Sequence, residues 1–344
     1  MAIFWDKISE GYSMKILNLI GDKLSPDGLK EQFALDVLIG LSSKPKSISP
    51  KYFYNDRGSE LFQKITENDD YYLTGLEFEI LKKESMNLAK NIKSHTSELD
   101  IIELGAGDGR KTSILVEALK NVGVDLHYYP IDISEEAMNQ MQDFLKEDGQ
   151  FKITGVVAEY FLGLNYLREY SKRPKLLMFL GSNIGNFNKA QAAGFMRRAW
   201  HTLNSGDWLF LGADLKKDID VLHRAYNDSE GITRNFNLNL LDRINNELGA
   251  NFDLTTFDHY GSYNPLVGAM ESFLISKRHQ KVYIKELEKE FTFKAFEPIH
   301  TEYSTKYLGE ELKELSNQSG FSVEETYYDK KRWYSNLLLK VTKH

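Results

Sequence analysis

Glu103 and three glycines at alternate positions, Gly105, Gly107 and Gly109, close an apolar, β-branched run that begins at Leu99. The run suits a buried parallel strand, and Lys111–Lys120 behind it reads as a helix with Ile114, Leu115, Ala118 and Leu119 at helical spacing. Strand, glycine turn and helix together let the backbone approach a ligand closely and aim helix-end amides at it. A dinucleotide fingerprint would have its third glycine at position 110, which is Arg110, so a nicotinamide or flavin dinucleotide fits poorly. A second strand, His127–Ser134, carries Asp132 about 20 positions past the turn, where a carboxylate can hold a ribose diol. One carboxylate accepts from both hydroxyls at once, so the residue type follows from the chemistry. Asp132 would also serve as a helix cap, but Ser134 is the better cap for a helix opening there.

These residues need a frame, and the chain is long enough to build one. Its 344 residues amount to about two domains, or one domain with large insertions. Apolar content of 42% is ample for a core. With no cysteine, disulfides and thiolate metal sites are excluded. The eight histidines show no His-x-x-x-His spacing, so no metal is expected. A net charge of −7 without a long basic run argues against a nucleic-acid partner. No apolar run is long enough to span a bilayer and the first residues carry no apolar signal core, so no membrane partner and a cytoplasmic location are expected. The oligomeric state is not legible.

Along the chain, residues 1 to about 45 read as amphipathic helices, including Met14–Ile20 and Leu29–Leu38, followed by a breaker-rich linker from Ser42 to Pro50. Tyr52, Phe53, Tyr54, Phe62, Tyr71 and Tyr72 then cluster in two short pieces, as core or as the wall of a small-molecule pocket. Lys152–Tyr160 reads as a third strand ending in Glu159-Tyr160. Lys175–Leu180 is a fourth, opening into a polar loop with Gly181, Ser182, Asn183 and Asn186. Ligands in open α/β sheets bind at the carboxyl ends of strands, so this loop is where two reactants should meet. Trp208–Asp214 is a fifth strand, followed by helical patterns at Val221–Asp228 and Gly231–Gly249. Ala269–Ser276 and Lys281–Ile284 suggest a hairpin, with Glu271 set in a mainly apolar strand and Phe273 two residues on. A helix from Leu312 and strands around Phe321–Thr326 and Trp333–Thr342 end the chain.

The spacing Glu103-x-Gly105-x-Gly107-x-Gly109 resembles motif I of S-adenosylmethionine-dependent methyltransferases. Tyr52-Phe-Tyr-Asn-Asp-Arg-Gly-Ser-Glu-Leu-Phe62, Tyr71-Tyr-Leu-Thr74, Glu103–Gly107, Phe179–Phe187 and Ala225-Tyr-Asn-Asp228 resemble, more narrowly, the histidine-specific Nα-methyltransferases of ergothioneine biosynthesis. The resemblance runs from about residue 45 to the end. It implies a Rossmann-like, seven-stranded class I methyltransferase α/β sheet with a second, substrate-binding domain built from the N-terminal helices and an insertion. The boundaries expected are 1–80 with 215–298 for substrate and 81–214 with 299–344 for S-adenosylmethionine. The cofactor implied is S-adenosyl-L-methionine, held by Glu103, Gly105, Gly107, Lys111, Asp132, Glu159 and Tyr160. The substrate implied is a small-molecule amino acid, L-histidine, whose α-amine is methylated to the trimethyl betaine. Phe62, Tyr71, Gly181, Asn183, Asn186, Tyr226 and Glu271 are expected to bind it, Glu271 through the imidazole, while Tyr54 orients the amine. Related members methylate dimethylallyltryptophan, and Phe273 leaves a tryptophan derivative as the alternative substrate. A nucleotide-binding protein without catalysis is the remote alternative.

Overall fold

The computed structural model describes residues 15–19, 26–107, 109–132, 138 and 151–343; the helix expected to open at Ser134 lies outside them. The strands, in chain order, are β1 (Lys15–Asn18), β2 (Lys46–Ser47), β3 (Glu98–Leu104), β4 (Asp125–Asp132), β5 (Lys152–Val157), β6 (Lys175–Phe179), β7 (Trp208–Asp214), β8 (Phe257–Asn264), β9 (Ala269–Ser276), β10 (Gln280–Ile284), β11 (Lys289–Phe293), β12 (Pro298–Thr305), β13 (Phe321–Tyr328) and β14 (Tyr334–Val341). The larger sheet has the order β1-β5-β4-β3-β6-β7-β14-β13. It is parallel from β1 to β7, with β14 antiparallel to both β7 and β13. This is the expected Rossmann-like methyltransferase sheet with one strand added at its edge.

The added strand corrects the reading of Met14–Ile20 as helix. Lys15–Asn18 pair in parallel with Thr154–Val157. The free edge of β5 offers unpaired N–H and C=O groups, and four residues carry too little helix propensity to resist that demand.

Alternation along the strands sends side chains to two cores. Leu99 and Ile101 of β3 pack under the helices Tyr72–Lys93 and Arg110–Asn121, beside Leu81, Leu88, Leu115 and Leu119. Ile102 and Leu104 face the other side, with Leu164, Phe195 and Leu312 from the helices Tyr160–Tyr170, Lys189–Thr202 and Gly309–Gln318.

A second sheet has the order β2-β12-β9-β8. Helices Pro26–Ser42, Asp56–Glu67 and Ile232–Leu248 share a core with it through Phe33, Leu61, Phe236, Leu241 and Leu274. The hairpin expected between 269–276 and 281–284 is absent. Strand β9 pairs with β8 and β12, so both its edges are taken, and β10 pairs instead with β11. Val282, Ile284, Phe291 and Phe293 of that separate ribbon are buried in the same core. Strand β12 begins at residue 298, and helix Tyr72–Lys93 runs unbroken through position 80.

A buried carboxylate fastens helix Tyr72–Lys93 to the larger sheet. Glu77, fully buried on helix Tyr72–Lys93, accepts from Lys111 Nζ at 2.6 Å, Gly181 N–H at 2.9 Å, and Tyr334 O–H and Asn336 Nδ2 at 3.0 Å each. A methyl at Gly212 of β7 would lie 2.2 Å from Glu77 Oε1 and 2.7 Å from the Tyr334 oxygen. Gly212→Ala should therefore cost about 1–3 kcal/mol in urea unfolding, the usual range for overpacking. An unchanged midpoint would mean that Glu77 is not held as described.

Candidate functional site

The three turn glycines adopt positive φ, 67° at Gly105, 56° at Gly107 and 73° at Gly109, where side chains are strained. A Cβ at Gly105 would stand 2.8 Å from the Tyr160 hydroxyl oxygen and 3.6 Å from Asn183 Nδ2, whereas one at Gly107 would meet nothing within 4 Å. The turn is thus crowded on one side and open on the other. Lys111 opens the helix beyond it and reaches Glu77; its Nζ is also 3.6 Å from where a Cβ on Gly181 would be. Asp132 ends β4 at the same edge of the sheet, and both Asp132 and Glu159 act electrostatically on Tyr160, whose hydroxyl is pushed up chiefly by burial. Glu159 commits Oε2 to capping its helix, accepting from Phe161 N–H at 3.0 Å and Leu162 N–H at 3.2 Å.

Glu103 sits underneath. It is 3% exposed, and its Oε2 accepts from Thr112 Oγ1 and Tyr128 O–H at 2.5 Å each. Burial raises its carboxyl to about 7, against those hydrogen bonds and Lys111. It braces the turn from behind.

Facing this edge is a narrow cleft lined by Tyr54, Phe62, Tyr71, Gly181, Asn183, Asn186, Tyr226, Phe236, Glu302 and Ser304 among others. The loop after β6 is set in an unusual shape. Gly181 and Ser182 are both left-handed, with φ of 71° and 57°. Ser182 Oγ accepts from the Asp214 N–H at 3.0 Å, which holds that conformation. Tyr54 meets Phe62 and Phe236 edge-on, at 5.5 and 5.8 Å between centroids. The residue as a whole is 46% exposed. Burial foremost, then Glu302, push the Tyr54 hydroxyl well above its ordinary range. Tyr71 and Tyr226 are shifted the same way, mainly by burial. All three stay protonated at neutral pH.

Of the residues expected to bind substrate, the cleft gathers Phe62, Tyr71, Gly181, Asn183, Asn186 and Tyr226, together with Tyr54. It does not gather Glu271. On β9, Glu271 pairs with Tyr303 and Ser262, accepts from Asn264 Nδ2 at 3.3 Å, and lies on the face away from Met270 and Ser272. Phe273 shares that outer face, edge-on to His300 at 5.3 Å. The carboxylate in the cleft is Glu302. A bulge between His300 and Glu302 resets β12, so that Glu302 pairs with Ser272 and Ser304 with Met270. Successive strand residues face opposite sides, so Glu271 and Ser272 cannot share one. The legible signal was Glu302-x-Ser304-x-Lys306, three polar residues at strand spacing. Burial raises Glu302 to about 7, opposed by Lys306 and a hydrogen bond from Ser272.

The matches to known proteins fit this geometry. A family model described as histidine-specific methyltransferase, SAM-dependent, matches residues 33–341. The chain belongs to this family. It is accordingly an S-adenosylmethionine-dependent methyltransferase, as the glycine turn and sheet order imply. It is 34% identical over 294 residues to a histidine N-alpha-methyltransferase of Mycolicibacterium smegmatis, covering 85% of this chain and 90% of that one. With a protein of the same name from Mycobacterium tuberculosis it shares 36% identity over 273 residues, 79% of this chain and 83% of that one. Ergothioneine biosynthesis protein 1 of Neurospora crassa is 33% identical over 282 residues, 80% of this chain and 31% of that longer one. Among the described residues no helix is long and apolar enough to cross a membrane, and no group of side chains could hold a metal ion.

Glu103 and Glu302 bind protons in the folded state at a pH where the unfolded chain has released them. Folded values near 7 against 4.5 mean that stability falls as pH rises between about 4.5 and 7. Thermal melts across that range should show Tm declining, and Glu103→Gln with Glu302→Gln should flatten the decline. A slope identical to wild type would refute the raised values.

Proposed function

We propose that the protein transfers methyl groups from S-adenosylmethionine to the α-amine of L-histidine, as far as the trimethyl betaine. The observation that carries the histidine reading is Glu302, a carboxylate at the cleft with Ser304 and Ser272 beside it. A ring N–H has an acceptor there, and a substrate without one leaves a buried polar group unpaired. Phe273, on which the tryptophan alternative leaned, lies on the other face of its sheet.

The residues at the sheet edge suit the cofactor. Gly105 and Gly107 permit close backbone approach, Asp132 suits the ribose diol, and Glu159 keeps one carboxylate oxygen uncommitted to its helix cap for an adenine amine beside Tyr160. When bound, S-adenosylmethionine supplies an already activated methyl on sulfonium. The protein's part is alignment. Asn186 and Tyr226 hold the substrate carboxylate with Tyr71, and the Gly181–Asn183 backbone positions the amine. Tyr54, kept protonated, orients the amine and is not its base. Tyr54, Phe62, Tyr71 and Phe236 give the cleft aromatic walls, which suit an ammonium that grows with each methyl. We further propose that 26–71 and about 215–306 form the substrate unit, because β12 pairs within the second sheet.

Incubating the protein with S-adenosylmethionine and the twenty amino acids should yield methylated histidine by mass spectrometry, with methyls counted directly; methylation of another amino acid alone would overturn the assignment. Asp132→Ala should weaken cofactor binding in calorimetry by about 1–3 kcal/mol, and unchanged affinity would remove Asp132 from that site. Glu302→Ala should lower kcat/KM for histidine by at least about 1.5 kcal/mol and relax selectivity toward tryptophan, while Glu271→Ala leaves the ratio alone. The reverse pattern would return the imidazole to Glu271.

A further inference from the structure

Lys306 follows β12 and is 1% exposed, with no catalytic role assigned above. Its Nζ donates to the Tyr226 hydroxyl oxygen at 2.8 Å and to Ser304 Oγ at 2.8 Å, and pairs with Asp214 Oδ2 at 2.7 Å. An ammonium has three protons and accepts nothing, so these partners use its full donor capacity. Tyr226 also donates to Ser304 Oγ at 2.5 Å.

The consequence is a fixed direction for the hydroxyl protons. Tyr226 oxygen accepts from Lys306, so its own proton must point to Ser304 or to a ligand. Ser304 oxygen accepts from Lys306 and from Tyr226, so its proton must point elsewhere. Both residues line the cleft. Asp214 is fully buried and faces two lysines, Lys306 and Lys217, the latter at 2.5 Å. Glu302 lines the same cleft and, with Asp214, acts on the Tyr226 hydroxyl, so selection for a carboxylate rests on the direction of the Tyr226 proton and not on a surplus of positive charge.

We propose that Lys306 is a positioning residue that turns Tyr226 into an obligate donor and so sets how strongly the site selects the acceptor's carboxylate. The inference rests on the reading of the protein as an amino-acid α-amine methyltransferase. The free carboxylate belongs to the substrate already proposed, and what Lys306 sets is how strongly the site prefers it to an amide. Tyr226 passes its proton from Ser304 to the incoming carboxylate. Lys306 never touches the substrate, and acts through the hydroxyl whose proton it directs.

The test compares L-histidine with L-histidinamide on the full chain, in wild type, Lys306→Met, Tyr226→Phe and the double variant. Binding of S-adenosylhomocysteine by calorimetry reports whether each variant is folded. Lys306→Met should raise KM for histidine at least tenfold, leave S-adenosylhomocysteine affinity within twofold, and shrink the histidine-to-histidinamide ratio of kcat/KM at least tenfold. In the Tyr226→Phe background the same change should move that ratio less than twofold, since the hydroxyl through which Lys306 acts is gone. If Lys306→Met fails to bind S-adenosylhomocysteine, Lys306→Gln is read by the same criteria, because its amide can both donate and accept and so no longer fixes the proton direction. An unchanged ratio in a variant that binds S-adenosylhomocysteine, an equal loss on both substrates, or a full effect persisting without the Tyr226 hydroxyl overturns the proposal. A wild type that turns over another amino acid instead of histidine removes the histidine reading alone, and the comparison is then made with that amino acid and its amide. A wild type indifferent to the carboxylate overturns the inference while leaving methyl transfer intact.

Discussion

Asp214 is the charge on which the two halves of the molecule are joined. It ends β7, is fully buried, and accepts from Tyr72 O–H at 2.8 Å, Lys217 Nζ at 2.5 Å and Lys306 Nζ at 2.7 Å, while its own N–H goes to Ser182. Those partners come from the long helix after the aromatic segment, the chain leaving β7, the end of β12 and the loop after β6. Burial alone would raise its carboxyl, but the two lysines outweigh that and hold it below the ordinary carboxylate range. A buried ion pair is worth little against an apolar replacement, yet removing one partner leaves an uncompensated charge. Such a joint favours one arrangement of its four contributors over the alternatives more than it adds stability.

Glu77 does for the cofactor side what Asp214 does for the substrate side. Lys111 from beyond the glycine turn, the Gly181 amide and two side chains of β14 converge on it. The cleft lies between these anchors, and its walls inherit their rigidity. The left-handed Ser182 persists because its hydroxyl is tied to Asp214. Alignment of an amine with an activated methyl depends on such fixed geometry more than on acid–base groups.

The buried acids divide by surroundings. Asp214 has ammonium partners on two sides and stays ionised. Glu103 and Glu302 are pushed up to about 7 chiefly by burial. The first braces a backbone turn with neutral hydroxyl donors, and the second faces the cleft. A carboxyl poised near neutrality at a ligand surface is responsive to what binds there, whereas one locked between lysines belongs to the frame.

The sequence by itself determined the parts whose conformation is local. Alternate glycines between an apolar strand and a helix specify a turn that only positive φ satisfies. The run from Leu99 to Asp214 and the helix and strands at the end were legible for that reason, whereas the cleft residues were expected from the family resemblance of their motifs. Tertiary structure decided what depends on pairing. Whether Lys15–Asn18 coil or extend was set by the open edge of β5, and the partner of β10 by the occupied edges of β9. The choice between Glu271 and Glu302 turned on parity. Side chains alternate with period two, so one bulge in β12 and one register against β9 determine which glutamate faces the cleft. No local pattern encodes that register, because the hydrogen bonds that set it are made by strands far apart in the chain.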